Sequence, residues 1–413
     1  MMSSQSHTYA GDGSHTASYY AASANPAPER PELIGDHQID VCIVGAGYSG
    51  LSTGLYLAEK GYKVAIIEGA RVGWGASGRN GGQIVNGLNA SLQTIKKRYG
   101  QDTATFVAGL VQEGGEIIRE RVSTYNIQCD LKDKNIFTGL TRAHMGELEE
   151  RMKLWASYGL KNQEMLDKDQ LRKYVNSDLY EGGMIDHSGG HMHPLNLALG
   201  EAAAFEQNGG TIYEMSAVID VDHAAAQPVI KTANGSMTCK TLVLCGNAYL
   251  GHVVPTLTSR VMPVSTQVMA TEPLGEERAR ELIPSDACVE DIRYILDYYR
   301  LSGDNRMLFG GGTVYGGADP SDIKSKLQRN MDKEFPRLQR PRRNRIAHLR
   351  AHPGRSNPRR HDPVRRVCQG TLVSIPRWAH VPRSLFGNGF LVVRAARQNG
   401  CLTKQQRFLW RTP

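Results

Sequence analysis

Gly45, Gly47, Gly50 and Glu68 are the residues in this chain whose types and spacing bear most directly on chemistry. Glycines at GxGxxG spacing after an apolar run, with an acid about 20 residues on, bring backbone to a pyrophosphate and a carboxylate to a ribose. The first glycine permits a tight turn, the second lets backbone approach the phosphates, and the third lets a helix pack on its strand. Tyr48 and Ser49 lie inside the turn and Gly69 follows the acid, so these too are candidate nucleotide contacts. A second glycine-dense stretch, RVGWGASGRNGGQI at residues 71–84, suits backbone that must come close to a flat ligand, and no regular element is expected to hold it.

The elements that must position these residues are legible around them. Residues 41–44 read as a buried parallel strand. A helix from about Ser49 buries Leu51, Leu55 and Ala58, and Gly61 stops it. Residues 64–67 form the second strand, ending at Glu68. With glycine this common, GxGxxG is expected by chance on the order of 0.5 times, so the context decides. Gly73, Gly75 and Gly78 fit the same spacing, but Gly81 and Gly82 forbid a helix after them.

A chain of 413 residues, 40% apolar, suits about two domains with buried cores. No apolar run is long enough to span a bilayer and residues 1–30 show no secretory pattern, which predicts a cytoplasmic protein. Seven scattered cysteines form no metal spacing, and Cys42 and Cys245 read as small buried hydrophobes in a reduced compartment. His187, His191 and His193 have no acid cluster beside them and read as loop or cap histidines, so no metal is expected. The formal charge of +8 is uneven: residues 337–413 carry 17 Arg and one Lys against one Asp, leaving 31 basic and 40 acidic residues before them.

Taken in order, residues 1–35 read as a polar surface arm. Residues 89–171 are mostly helical, with a strand pair or turn at 130–140. A second helix follows residues 187–193, with Pro194 in its first turn and Gly209 and Gly210 at its end. Strands are expected at 211–222, 227–232 and 240–244, then at 262–271, 292–301 and 306–312 as an antiparallel sheet. After Pro336 periodicity is lost, which predicts disorder.

GAGYSG, GWGASGRNGGQI, HMHPLNLALGEA, LVLCGNAYL and YYRLSGDNRMLFGGG together resemble the FAD-dependent amine and amino-acid oxidases of the D-amino-acid oxidase superfamily. Within it the chain is most similar to the gamma-glutamylputrescine oxidases, including SYYAASAN in the arm. The resemblance implies an α/β fold of two parts. One is a Rossmann-like FAD domain with a parallel sheet, at residues 36–88 and 165–260. The other is an antiparallel-sheet substrate domain at 89–164 and 261–336. It implies noncovalent FAD, with Gly45, Gly47 and Gly50 at the pyrophosphate and Glu68 at the ribose. Ser77, Gly78, Arg79, Asn80, Gly81, Gly82 and Gln83 would approach the flavin and pyrophosphate, and Val218 and Gly246 would edge the adenine.

The chemistry implied is oxidation of an amine C–N bond by hydride transfer to flavin and hydrolysis by water, giving aldehyde and an amine or ammonia; the electrons pass to dioxygen, giving hydrogen peroxide, or to another acceptor. No residue announces itself as catalytic. Tyr298, Tyr299 and Arg300 are candidates to line the substrate cavity, with Arg300 or Arg306 pairing a substrate carboxylate; the alternative is that they are surface or internally paired residues. D-amino acids, glycine and sarcosine are further candidate substrates. The family's closing GxxGHG turn is missing after Pro336, which predicts a reading-frame change near residues 335–340 and, as a second reading, an inactive remnant with a basic tail. The tail lacks interleaved aromatics, so no nucleic-acid partner is expected.

Overall fold

The computed structural model describes residues 12–88, 90–222, 225–250, 253–258, 260–261, 264–315, 322–339 and 391–394. The N-terminal segment carries a short helix, α1 (Tyr19–Ala22), before β1 (Gly35–Val44), α2 (Tyr48–Glu59) and β2 (Val64–Ile67). Next come β3 (Gln83–Ile84), α3 (Leu92–Tyr99), α4 (Gln101–Thr124), β4 (Lys132–Gly139), α5 (Arg142–Ser157), β5 (Gln163–Asp167) and α6 (Lys168–Arg172). The middle of the chain supplies β6 (Gly182–His191), α7 (Pro194–Gln207), β7 (Thr211–Tyr213), β8 (Asp220–Asp222), β9 (Val229–Lys231) and β10 (Gly235–Leu244). The last third gives α8 (Pro255–Thr258), β11 (Val264–Ala270), α9 (Glu276–Leu282), β12 (Cys288–Asp291), β13 (Tyr298–Leu301), β14 (Met307–Tyr315), α10 (Ile323–Glu334) and β15 (Leu391–Arg394).

These strands form two sheets. The first runs β7-β2-β1-β10-β9-β8, parallel from β7 to β10 and antiparallel beyond, with β15 also antiparallel on β10. The second runs β11-β14-β13-β12-β4-β6-β3, with β5 on β6, and is antiparallel except where β12 meets β4. The fold is therefore mixed α/β, a parallel sheet joined to an antiparallel-rich one. Strands β3, β5 and β6 pair in the second sheet although most of their residues fall within the stretches expected in the first domain.

Helix α2 forms because Leu51, Leu55 and Ala58 recur at helical spacing and bury one stripe against Ile43 and Ile66. A fully buried leucine contributes roughly 1.5–3 kcal/mol, so this stripe seats the helix on the sheet. Helix α7 starts where His193 Nδ1 accepts from the Asn196 amide at 3.1 Å and Pro194 fills the first turn. His193 is thus a cap; His187 and His191, expected in a loop, lie on β6. Four glycines in that ten-residue strand hide it from its sequence: an added Cβ at Gly183 would lie 2.7 Å from Phe137 O, so the spacing between strands needs them. Other expectations also shift. Residues 130–140 hold one central strand rather than a pair, residues 71–84 include a single 3-10 turn (Ala76–Gly78) and β3, and β12 was not anticipated.

The face of the second sheet away from the first part packs under α9 and α10, with Tyr299, Phe309 and Phe335 in its core. Glu334 ends α10 there, 4% exposed, and its Oε1 accepts from the Tyr299 hydroxyl at 3.0 Å. Burial pushes this carboxyl from 4.5 up to about 7. A folded-state value above the unfolded one means stability is full below the unfolded value and is lost as pH rises toward the folded one. Glu334→Gln is expected to remove that slope, on the order of 3 kcal/mol, from denaturation midpoints measured between about pH 5 and about pH 8. An unchanged slope would place the pH dependence elsewhere.

No helix among the described residues is long and apolar enough to cross a membrane. The described cysteines, Cys42, Cys129, Cys239, Cys245 and Cys288, are free and buried, and burial pushes the Cys129 and Cys245 thiols up to about 12. Apart from residues 337–339 and 391–394, the basic tail and the expected frame change lie outside the described residues.

Candidate functional site

Backbone geometry at the head of α2 decides what this end of the first sheet can hold. Gly45 has φ +106, a conformation that favours glycine, and its amide donates to Ile67 O at 2.8 Å. An added Cβ on Gly50 would sit 1.9 Å from Gly45 O, so helix and turn touch backbone to backbone. Gly47 caps α2 in an extended conformation without a side-chain cap, and a Cβ there would lie 2.8 Å from Ser77 Oγ. The Tyr48 amide donates to Ser77 Oγ at 2.9 Å. Ser49 and Gly50, next in the first turn, have amides with no carbonyl one turn back in the helix to take them. That cradle accepts an anionic oxygen and would be filled by any side chain larger than hydrogen.

Glu68, 7% exposed, braces the turn: Oε2 accepts from the Ala46 amide at 2.6 Å and Oε1 from the Ala70 amide at 3.0 Å. Burial raises its carboxyl and those two amides pull it back. Each oxygen retains a lone pair for a further donor, so the acid can hold a hydroxyl while supporting the loop. The Tyr48 side chain is structural, its hydroxyl donating to Pro194 O at 2.8 Å. Gly246 follows β10 and its amide lies 3.2 Å from the Cβ position of Gly45, while Val218 packs against the apolar cluster on that side of the sheet.

The 71–84 loop is tied down by its own side chains and by neighbours. Asn80 Nδ2 donates to Ser77 O at 2.8 Å and its Oδ1 accepts from the Gly82 amide at 2.7 Å. Arg79 lies over the Trp74 ring at 4.9 Å and donates to Thr16 Oγ1 at 3.0 Å. Glu214, which sequence reasoning passed over, accepts from the Val72 amide at 2.8 Å and from Arg71 at 3.0 Å. Gln83 Nε2 reaches Val289 O on β12 at 3.3 Å, which joins the loop to the second sheet.

On β13 the candidates separate. Adjacent strand residues point to opposite faces, so Tyr298 and Arg300 turn toward the loop while Tyr299 turns into the far core and stacks on Phe309, with centroids 5.6 Å apart. Tyr299 is therefore not placed to line a cavity with Tyr298. A Cβ on Gly81 would meet the Tyr298 ring at 2.7 Å. Arg300 is 3% exposed and donates to Gly81 O at 2.6 Å, Leu301 O at 3.1 Å and the Tyr20 hydroxyl at 3.1 Å. Arg306 pairs with Asp304 at 2.7 Å and donates to Thr271 O at 3.0 Å. Both guanidinium groups are thus committed within the protein.

The arm is part of the site rather than a surface appendage. Tyr20 on α1 is 4% exposed against Arg300 and edge-to-face with His193 at 5.1 Å, and Trp74 Nε1 donates to Ser14 O at 2.9 Å. Behind Arg300 a polar cleft is lined by Asp130, Lys132, His191, Arg280 and Asp286. His191 stays neutral there, since burial and Arg300 depress it to about 3.

Comparisons with known proteins agree with this arrangement. A family model described as "DAO: FAD dependent oxidoreductase" matches residues 40–381, ending inside the basic tail. Gamma-glutamylputrescine oxidoreductase of Escherichia coli (strain K12) is 50% identical over 325 residues, which are 78% of this chain and 76% of that protein. A probable oxidoreductase, OrdL, of Haemophilus influenzae is 38% identical over 331 residues, 79% of this chain and 76% of its own. Among solved structures, glycine oxidase from Geobacillus kaustophilus superposes with a TM-score of 0.59 at 21% identity, covering 73% of this chain and 80% of that one, a likeness of fold.

Proposed function

The chain belongs to the DAO family of FAD-dependent oxidoreductases, and we propose that the amine whose C–N bond it oxidises is a gamma-glutamyl amine of the gamma-glutamylputrescine type. The observation that carries this reading is the meeting of a helix head with free first-turn amides and a sheet face closed down on the same glycine loop, in a chain 50% identical over 325 residues to an oxidoreductase of that name.

FAD is the cofactor of this family, and the residues present fit it. In our reading the amides of Ser49 and Gly50 hold the pyrophosphate, Glu68 takes a ribose hydroxyl, and Val218 and Gly246 border the adenine. Residues 77–83 hold the flavin without a covalent bond. When bound, FAD would supply a two-electron acceptor for hydride from the substrate carbon, with dioxygen as the final acceptor, giving hydrogen peroxide. The protein binds and orients. Tyr298 and Gly81 close the sheet onto the loop and exclude water, and a dry face favours the neutral amine that oxidation requires. After oxidation, a water from solvent hydrolyses the imine, and the substrate leaves as an aldehyde and ammonia. The two domains we assign follow the two sheets, with β3, β5 and β6 moved to the substrate side. Free buried thiols fit a cytoplasmic setting.

The test is the visible spectrum of the purified chain before and after gamma-glutamylputrescine is added without oxygen. A flavin band that bleaches supports the reading. A band that stays, yet bleaches with another amine, overturns the substrate; a folded chain with no flavin overturns the cofactor assignment.

A further inference from the structure

One face of the second sheet looks toward the glycine loop, and among the described residues two opposite charges at that face have no hydrogen-bond or ion-pair partner. Glu290 on β12 sits across from Tyr298 in one register and beside Phe137 in the other, so all three share this face. Tyr298 is the residue that meets Gly81. Arg151 reaches over from α5, its guanidinium carbon 4.0 Å from the centroid of Phe137 and one nitrogen 3.1 Å from where a Cβ on Gly87 would stand. Glu290 and Arg151 are near enough to influence each other's protonation, yet they are not in ion-pair contact. Among the described residues neither the Glu290 carboxylate nor the Arg151 guanidinium has a hydrogen bond or salt bridge. Both keep some access to solvent although protein surrounds them.

A largely buried charge without a hydrogen-bonding partner is costly, so a ligand that brings a partner to each of the two stabilises both. Phe137 holds Arg151 back by a cation–π contact, and Glu290 is fixed by its strand. That arrangement leaves each charge for a ligand that itself carries one charge of each sign. We propose that Glu290 and Arg151 form the recognition site for the α-amino-acid head of the substrate, ammonium on Glu290 and carboxylate on Arg151. This assignment rests on the reading of the substrate as a gamma-glutamyl amine, and it goes further by naming which residues select that class. A plain diamine carries two cations and would leave Arg151 facing like charge. The head neutralises both side chains without adding net charge to the recess.

The experiment uses gamma-glutamyl-n-butylamide, which carries the head but lacks the terminal amine, and N-butylacetamide, which has the same amide and chain without the head. Each is titrated calorimetrically into the flavin-loaded enzyme. The wild type is expected to bind the first at least tenfold more tightly. Arg151→Met and Glu290→Gln are each expected to remove that preference, without altering flavin absorbance or the weak affinity for N-butylacetamide. Equal binding of the two probes by the wild type overturns the proposal, and that comparison needs no variant to fold. Variants that fold, keep flavin and still prefer the head also overturn it. Failure of gamma-glutamylputrescine to bleach the flavin would overturn the oxidation reading, whereas the calorimetric comparison decides the recognition pair separately.

Discussion

Gly50→Ala is expected to strip the chain of its flavin. The new methyl would lie 1.9 Å from Gly45 O and 3.3 Å from the Ile43 Cγ2 methyl, and neither the turn nor the strand behind it can give. Helix α2 must move off the turn, at a cost of about 1–3 kcal/mol or more for overpacking, and its first-turn amides move with it. Flavin absorbance per protein should fall at least tenfold. Gly61→Ala is the comparison: that glycine also has a positive φ, +80, but nothing lies within 4 Å of its Cβ position. It should lose about 1 kcal/mol of stability and keep its flavin. A Gly50→Ala protein with full flavin content would show that the helix head is not where the phosphates bind.

This unit was readable in the sequence because every part of it is local. The apolar run, the glycine spacing and the helical stripe lie within thirty residues, and β2 falls at the expected residues 64–67. What was not readable depends on pairing between distant segments. Tyr20 sits on a four-residue helix too short to show a period, and its partners Arg300 and His193 lie far along the chain. Glu290 and Arg151 come to one side of the sheet only because β12 lies beside β4 under α5. Tyr298, Tyr299 and Arg300 read as one cluster in the sequence, but the pleat sends the middle one to the opposite face. The β6 strand escaped notice because its glycines, required by crowding, look like loop residues.

The second large effect is expected at Arg300. Its guanidinium joins Gly81 of the loop, Leu301 of its own strand and Tyr20 of the arm, all through neutral acceptors. Arg300→Met would leave Gly81 O and the Tyr20 hydroxyl buried without that donor, at about 1–3 kcal/mol each. The melting temperature should drop by several degrees, flavin retention should weaken, and limited proteolysis should cut earlier within the arm. Arg300→Lys should not restore these properties, because one ammonium cannot span three acceptors held in the fork geometry of a guanidinium. Recovery by lysine would mean that only the positive charge matters. Unchanged arm proteolysis in Arg300→Met would mean that Tyr20 is held by packing alone.

The pairing of β1 with β10 joins Gly35 to Gly235 and Val44 to Leu244. A growing chain therefore makes its first apolar strand long before the partner exists. At roughly 5–20 residues per second, β1 waits on the order of 10–40 seconds for β10 to be synthesised. During that time β2 covers one edge of β1 while the edge that will meet β10 stays open to another nascent chain. Yield in cells should then depend on translation speed and on chaperone supply more than on the stability of the finished protein.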